Sequence, residues 1–541
     1  MSMMYEPLLI SSIIKQAAVN YPTQKVVSRC YGEGLVVHSY KEIYQRSAQL
    51  ANALLTLGVT EGDHVATLAW NTHRHLEAYY GISGIGAVTH TVNPRLYDDQ
   101  IVYIINHAKD SVLLVDRGFY PLYQRIADRL ESVETVIVLT QAEYMPEEGD
   151  ALCYETLLEQ NAAEIDWPSF DECLPACLCY TSGTTGEPKG VIYTHRSTLI
   201  HALASSVANG LGLSMDTVVM PVVPMYHVSA WGVPYSALLN GSALVLPGEG
   251  MDGASLAEII NFSGATLLLG VPTVWLTLLD QLEKTGESIP SVKTIAVGGS
   301  ASPRALAKRL DEDYGIYLMP LWGMTETSPL ATFGGLTDQV AAMEPEQRYD
   351  IQTSAGKNIW GIELDILDGN NQSLPRDGST SGSLVVKGHW VCGGYYKQQN
   401  DEKFINGWFD TGDVATLDEG GYLRIVDRKK DVIKSGGEWI SSIDLENAAV
   451  AHPDVREACV VGVPHPKWDE RPLLFVVAAD GAGVDKQSIY ELLTERVAKW
   501  WLPDDIICVE ELPHTATGKL QKNVLREQYQ GYLTASKVHD G

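Results

Sequence analysis

Apolar positions along this chain recur at two periods, and the two alternate in a regular order. In HSYKEIYQRSAQLANALLTLG, Ile43, Ala48, Leu50, Leu54 and Leu55 fall near helical spacing and the run stops at Gly58, which predicts a helix with one buried stripe. HVATLAW, TVIVLT, ALVLP, TLLLG and TIAVGG are short apolar runs bounded by turn formers, as buried strands are. This alternation continues to about residue 340 and predicts parallel sheets wrapped by helices. From about 350 to 427 the texture becomes IELDILDGNNQSLPRDGSTSGSLVVKGHW, which predicts antiparallel hairpins or a small barrel. Beyond DRKKDVIKSGGEWISS come strands ACVVGV and LLFVVAA, a helix from Lys486 to Trp500, strand IICVEEL and a terminal helix after Lys522. The charged stretch Asp427 to Asp431 reads as a solvated linker, with a domain boundary that divides 1–427 from 428–541.

The longest uncharged stretch, Thr217 to Gly248, is broken by Pro221, Pro224, Pro234 and Pro247, whose freed backbone groups lipid could not satisfy. It is therefore not read as a membrane span. The N-terminal MSMMYEPLLISSIIKQAAV lacks a basic leader and carries Glu6 before its apolar residues, so it reads as an amphipathic first helix and places the protein in the cytoplasm. A length of 541 residues exceeds what one core serves, and 45% hydrophobic with 20% charged residues is ordinary for a globular chain. The net charge of -29 excludes a nucleic-acid partner but not small anions held by local amides and cations. Cys173, Cys177 and Cys179 lack the paired spacing and fourth ligand of a metal site, and read as buried thiols leading into a strand.

YTSGTTGEPKG, Tyr180 to Gly190, concentrates candidate chemistry. Gly183, Gly186 and Gly190 allow close approach of backbone to a ligand, and Thr181, Ser182, Thr184 and Thr185 add hydroxyls beside exposed amides. Pro188 restricts the loop and Lys189 supplies charge, a combination suited to phosphate. It is not a Walker A loop, because the lysine follows proline and Gly190 stands where a magnesium-binding hydroxyl residue would be. On composition alone an ordinary Gly/Thr-rich turn remains open.

The same stretch resembles the phosphate loop of the adenylate-forming superfamily of acyl-CoA synthetases, adenylation domains and luciferases. WGMTETSP, GWFDTGD, DRKKDVIKSGGEWIS and PHTATGK follow in order and are similar to further signatures of that family, together spanning nearly the whole chain. PVVPMYHVSAWG, GVPTVW, KSGGEWISS and HPKWDERP most resemble bacterial medium- and long-chain fatty acyl-CoA synthetases, including methylmercaptopropionate-CoA ligases. The implied fold class is α/β: a large N-terminal domain of two helix-wrapped sheets plus a small β-barrel, followed by a smaller mobile α+β domain hinged near Lys430.

The resemblance implies a two-step reaction. A carboxylate attacks the α-phosphate of MgATP to give acyl-adenylate and pyrophosphate, and coenzyme A then displaces AMP. Residue by residue, Thr181 and Glu326 would hold Mg2+, a hard ion suited to oxygen ligands, and Ser182, Gly183, Thr184, Thr185, Gly186 and Lys189 would cradle the triphosphate. Gly299, Ser300 and Ala301 with Trp322, Gly323, Met324 and Thr325 would line the adenine pocket, while Asp413 and Arg428 would take the ribose. Lys519 would be the catalytic lysine of adenylation, with Lys522 read as a simple surface charge; Lys434, Gly436, Gly437 and Trp439 would serve the coenzyme A step. His227 would join the catalytic set, and with Trp231 and Trp322 it would face the acyl substrate.

No acidic residue occurs between Thr217 and Gly248, so the carboxylate that amino-acid-activating relatives set against an α-ammonium is missing from this segment. The resemblance therefore implies a plain acid, a medium-chain fatty acid first and 3-methylmercaptopropionate, short-chain or long-chain acids as alternatives. An acyl-AMP ligase loading a carrier protein, a non-catalytic nucleotide-binding homologue and a luciferase-type oxygenase are weaker readings. The sequence stops soon after Lys519, which disfavours a fused carrier domain. Related ligases are commonly dimers, so a homodimer is the assembly to test.

Overall fold

The structure, a computed structural model, describes residues 3–147, 149–181, 187–398, 402–436, 438–479, 483–514 and 520–535. Two large sheets form its body. One has seven strands, with His64–Leu68, Val88–Thr91, Val112–Asp116, Thr135–Leu139 and Pro175–Tyr180 running parallel and Gly190–Thr194 returning antiparallel at one edge. The other has nine, with a parallel centre made of Lys25–Cys30, Ala243–Leu246, Val218–Pro221, Leu267–Gly270, Thr294–Val297 and Tyr317–Gly323. The expected apolar runs are thus all strands, and their unbroken hydrophobicity follows from burial on both faces.

Helices cover and separate the sheets. Tyr40–Thr56 starts where Ser39 and Glu42 satisfy each other's backbone N–H groups in a capping box. Ile43, Ala48, Leu50 and Leu54 are buried on it, whereas Leu55, expected on the same stripe, is 47% exposed. His73–Gly84 is buried over its whole length because it lies in the main core, which draws residues from both sheets. Asn71 ties the carboxyl ends of the sheets together: its Nδ2 donates to the carbonyls of Pro221 and Val223, each at 2.9 Å, and its Oδ1 accepts from Met225 N at 2.6 Å. The crevice at such strand ends is where α/β sheets bind ligands.

The hairpins expected after residue 350 form a five-stranded antiparallel sheet, Ile362–Leu367, Gly382–Gly388, Trp408–Leu417, Phe404–Ile405 and Leu423–Arg428. In place of the small barrel, Ile362–Leu367 and Leu423–Arg428 are not paired with each other among the described residues. A further five-stranded sheet follows, built on the long hairpin Val455–His465 and Asp469–Ala478. Helices Ser442–Val450 and Lys486–Arg496 pack on one face, and Lys522–Tyr529 on the other. The helix expected to reach Trp500 ends at Arg496, since Val497 is extended at φ -126° and ψ 162°, and Lys499–Trp501 forms a separate short turn.

The charged linker is also less solvated than expected. Asp427 is 1% exposed, at the end of a strand, and accepts hydrogen bonds from Ser442 N at 2.7 Å and Ser442 Oγ at 2.6 Å. These donors and Lys522 offset only part of the burial of that carboxylate, whose pKa is raised, so the strand end is packed at Asp427 while Arg428 and Lys430 beyond it stay exposed. Among the described residues no helix is long and apolar enough to cross a membrane.

Candidate functional site

The site is built on the antiparallel pair Pro175–Tyr180 and Gly190–Thr194, which hold the glycine-rich loop between them. Cys177 and Cys179 are buried within the first of these strands, whereas Cys173 before it is exposed. At the neck of the loop Thr181 N donates to Lys189 O at 2.9 Å and Lys189 N donates to Thr181 Oγ1 at 3.2 Å. Ser182, Gly183, Thr184, Thr185 and Gly186 lie outside the described residues, as do Gly437 and Lys519. The ammonium of Lys189 stands 4.5 Å from the centre of the Tyr395 ring, a cation–π distance.

Tyr395 leads to the next expected residue. Its hydroxyl donates to Glu326 Oε1 at 2.7 Å, and Glu326 is 5% exposed, in the single turn Thr325–Thr327 that follows strand Tyr317–Gly323. The turn is tethered from both sides: Tyr193 Oη donates to Thr325 O at 2.8 Å and Cys392 N donates to Glu326 O at 2.8 Å. Gly323 has no room for a side chain, because a Cβ there would lie 2.0 Å from Pro329 O. Thr181 and Glu326 present a hydroxyl and a buried carboxylate, hard oxygen donors of the kind Mg2+ takes, so the residues present fit that ion.

Asp413 and Arg428 meet across paired strands Trp408–Leu417 and Leu423–Arg428, with Arg428 Nε 2.8 Å from Asp413 Oδ1. Asp413 is 2% exposed while Arg428 projects outward, an arrangement in which the cation holds the acceptor in place. Gly299, Ser300 and Ala301 form an exposed turn beyond strand Thr294–Val297, and Trp322, Gly323 and Met324 are half-buried one strand away.

The segment carrying His227 and Trp231 adopts a conformation that sequence reasoning does not reveal. Val228 to Gly232 are all left-handed, with φ of 45°, 49°, 47°, 58° and 79°. Each non-glycine residue there costs about 1–2 kcal/mol, so packing must over-determine the turn. Val228, Ser229, Ala230 and Trp231 are buried, and the Trp231 ring lies against Gly298, where a Cβ would stand 3.1 Å from it. His227 is half-buried at the start of the turn, its N–H donating to Pro224 O at 3.1 Å. His201 braces the far end: its ring fills the space beside Gly232, and its Nε2 accepts from Leu330 N at 3.3 Å. Burial depresses the His201 pKa to about 3, which keeps that nitrogen an acceptor.

The C-terminal candidates stand apart in this structure. Lys434 and Trp439 are paired strand residues, both exposed, and among the described residues their side chains make no hydrogen bond or ion pair to the N-terminal site. Gly436 N donates to Trp468 O at 2.8 Å. Lys430 is exposed. Lys522, expected to be a surface charge, is instead an anchor, with Nζ 2.8 Å from Glu446 Oε1 and both side chains largely buried. Sequence reasoning also missed Tyr395, Tyr193 and His201. A pair of aromatics in WVCGGYYKQ was the only local signal for Tyr395, and none marks the partners of the other two.

The family profile described as AMP-binding enzyme matches residues 14–396, and that described as AMP-binding enzyme C-terminal domain matches 444–519. The chain is 45% identical over 540 residues to a 3-methylmercaptopropionyl-CoA ligase of Ruegeria lacuscaerulensis, covering 98% of this chain and 99% of that one. It is 42% identical over 539 residues to a medium-chain-fatty-acid–CoA ligase of Ectopseudomonas oleovorans, with 99% and 98% covered. Among solved structures, that of the anthranilate CoA ligase AuaEII in complex with anthranoyl-AMP aligns with a TM-score of 0.87 at 25% identity, covering 98% of this chain and 99% of that one.

Proposed function

The chain belongs to the AMP-binding enzymes and is an AMP-forming acyl-CoA ligase that uses ATP, Mg2+ and coenzyme A; from that premise we propose that its acid is a medium-chain fatty acid. One observation carries the choice of an apolar acid: the left-handed turn that buries Trp231 and ends on Gly232 lies in a stretch, Thr217 to Gly248, with no Asp, Glu, Lys or Arg to meet a polar substituent. The name of the Ruegeria relative favours a second reading, 3-methylmercaptopropionate, whose thioether suits the same wall.

In this reading the chain's residues act in two sets. The Thr181–Lys189 loop binds the triphosphate, and Asp413, oriented by Arg428, accepts from the ribose hydroxyls. Thr181 and Glu326 hold Mg2+, which when bound offsets phosphate charge and polarises the P–O bonds. Lys519 neutralises the charge that develops as carboxylate oxygen meets the α-phosphorus. The Lys434–Trp439 strand pair then serves thioester formation after rotation near Lys430, between domains divided at 427 and 428. ATP and coenzyme A are cytoplasmic pools, so the enzyme is assigned to the cytoplasm, and a homodimer is its proposed assembly.

Purified protein given ATP, Mg2+, coenzyme A and acids from propionate and its methylthio analogue to palmitate tests the reading. The expected products are AMP and pyrophosphate, with kcat/KM highest for medium-chain acids. Formation of ADP would contradict the reaction class. A peak at the methylthio acid would replace the first substrate with the second, and transfer to a carrier protein but not to coenzyme A would overturn the ligase assignment.

A further inference from the structure

Tyr395 touches both halves of the triphosphate site and belongs to neither. It is 5% exposed, its hydroxyl donates to Glu326 Oε1 at 2.7 Å, and its ring face carries the Lys189 ammonium at 4.5 Å. The backbone around it is stapled to the same two motifs: Cys392 N donates to Glu326 O and Tyr396 N donates to Gly190 O, both at 2.8 Å. These contacts join segments distant in sequence, and through this ring the carboxylate of WGMTETSP and the lysine of the loop share one side chain.

We propose that Tyr395 is the positioning residue that aligns Glu326 for the divalent cation and Lys189 for the phosphates. The proposal rests on the metal and phosphate roles proposed above. A carboxylate has two oxygens, and a phenol held on Oε1 fixes the carboxylate plane while leaving Oε2 for a cation. The ring face attracts the ammonium and steadies a long side chain that would otherwise lose its rotamer freedom only on binding. Hydroxyl and ring therefore have separable tasks.

Tyr395→Phe removes only the hydroxyl, and Tyr395→Leu removes both hydroxyl and ring. The ATP Kd of the full-length protein is measured calorimetrically with and without Mn2+ as the metal probe, and the ratio of the two reports metal coupling. Wild type is expected to bind ATP more tightly with Mn2+. In Tyr395→Phe that coupling falls about tenfold, the usual cost of losing an outer-shell partner, while the metal-free Kd stays within about twofold. In Tyr395→Leu both quantities worsen. Thermal melts within a few degrees of wild type establish that the variants are folded. Coupling that survives intact in folded Tyr395→Phe overturns the inference alone, and so does equal weakening of metal-free ATP binding by both variants. Absence of coupling in wild type overturns it together with the metal reading on which it rests.

Discussion

Lys522 Nζ lies 2.8 Å from Glu446 Oε1 and 2.5 Å from Ser442 Oγ, and Ser442 in turn donates to Asp427. The lysine three positions after Lys519 thus reaches, through one serine, the strand that ends at the proposed hinge. Arg526 on the same helix pairs with Asp431 at 2.8 Å, so the helix is fastened on both sides of Lys430. The helix that follows the proposed catalytic lysine in sequence is thus docked against the joint.

Lys522→Met leaves Glu446 buried without its cation, and breaking such a pair costs about 3–5 kcal/mol. Burial already pushes the Glu446 pKa up even with the lysine present, and the loss of that cation raises it further. A carboxyl whose folded pKa exceeds its unfolded value binds more protons when folded, so the variant regains stability as pH falls from 8 toward 5. Urea unfolding followed by tryptophan fluorescence checks this; an unchanged midpoint at pH 8 would contradict the anchor.

His75, His195 and His201 are buried, and burial lowers their pKa values to about 4, about 4 and about 3. Below the unfolded value of about 6.5, the unfolded chain takes up protons that the folded one refuses. Stability is therefore expected to fall as pH drops from about 6.5 toward 4, by up to about 1.4 kcal/mol per pH unit for each histidine. Melting temperatures that stay level between pH 7 and 5 would refute it.

Trp231→Ala removes a ring packed on Gly298 and opens the wall of the proposed acyl passage. A change of one methylene in an apolar pocket is worth about 1–3 kcal/mol, so the kcat/KM ratio of palmitate to octanoate is expected to rise about tenfold. A ratio that does not move would place the ring outside the acyl path.

Lys519→Ala is expected to lower adenylation by about 10²–10³, the usual effect of removing one group that stabilises developing charge. Pyrophosphate exchange reads that step. Thioester formation from supplied acyl-adenylate should fall far less, and equal losses in both would remove the lysine from its assigned role.

Several of these residues were within reach of the sequence and others were not. Glu326 and Asp413 sit in motifs that the family resemblance picks out, and the strand that leads to Glu326, Tyr317–Gly323, is a largely apolar run of the kind a sheet buried on both faces accepts. Tyr395 and His201 act on partners far along the chain, Glu326 and Leu330 respectively, and no local pattern encodes such contacts. The left-handed turn at Val228 to Gly232 runs against the preference of its own residues and is held by what packs around it.

Taken alone, then, the order of amino acids determined the layered α/β fold, the family resemblance and the chemical kinds of group at the site, because periodicity and motif composition are local properties of a chain. Only tertiary structure decided that Lys522 is an anchor rather than a surface charge, that Asp427 is a buried joint, and that one tyrosine spans lysine and carboxylate. Those outcomes depend on which distant groups are desolvated together, and desolvation is settled by packing in space rather than by position along the chain.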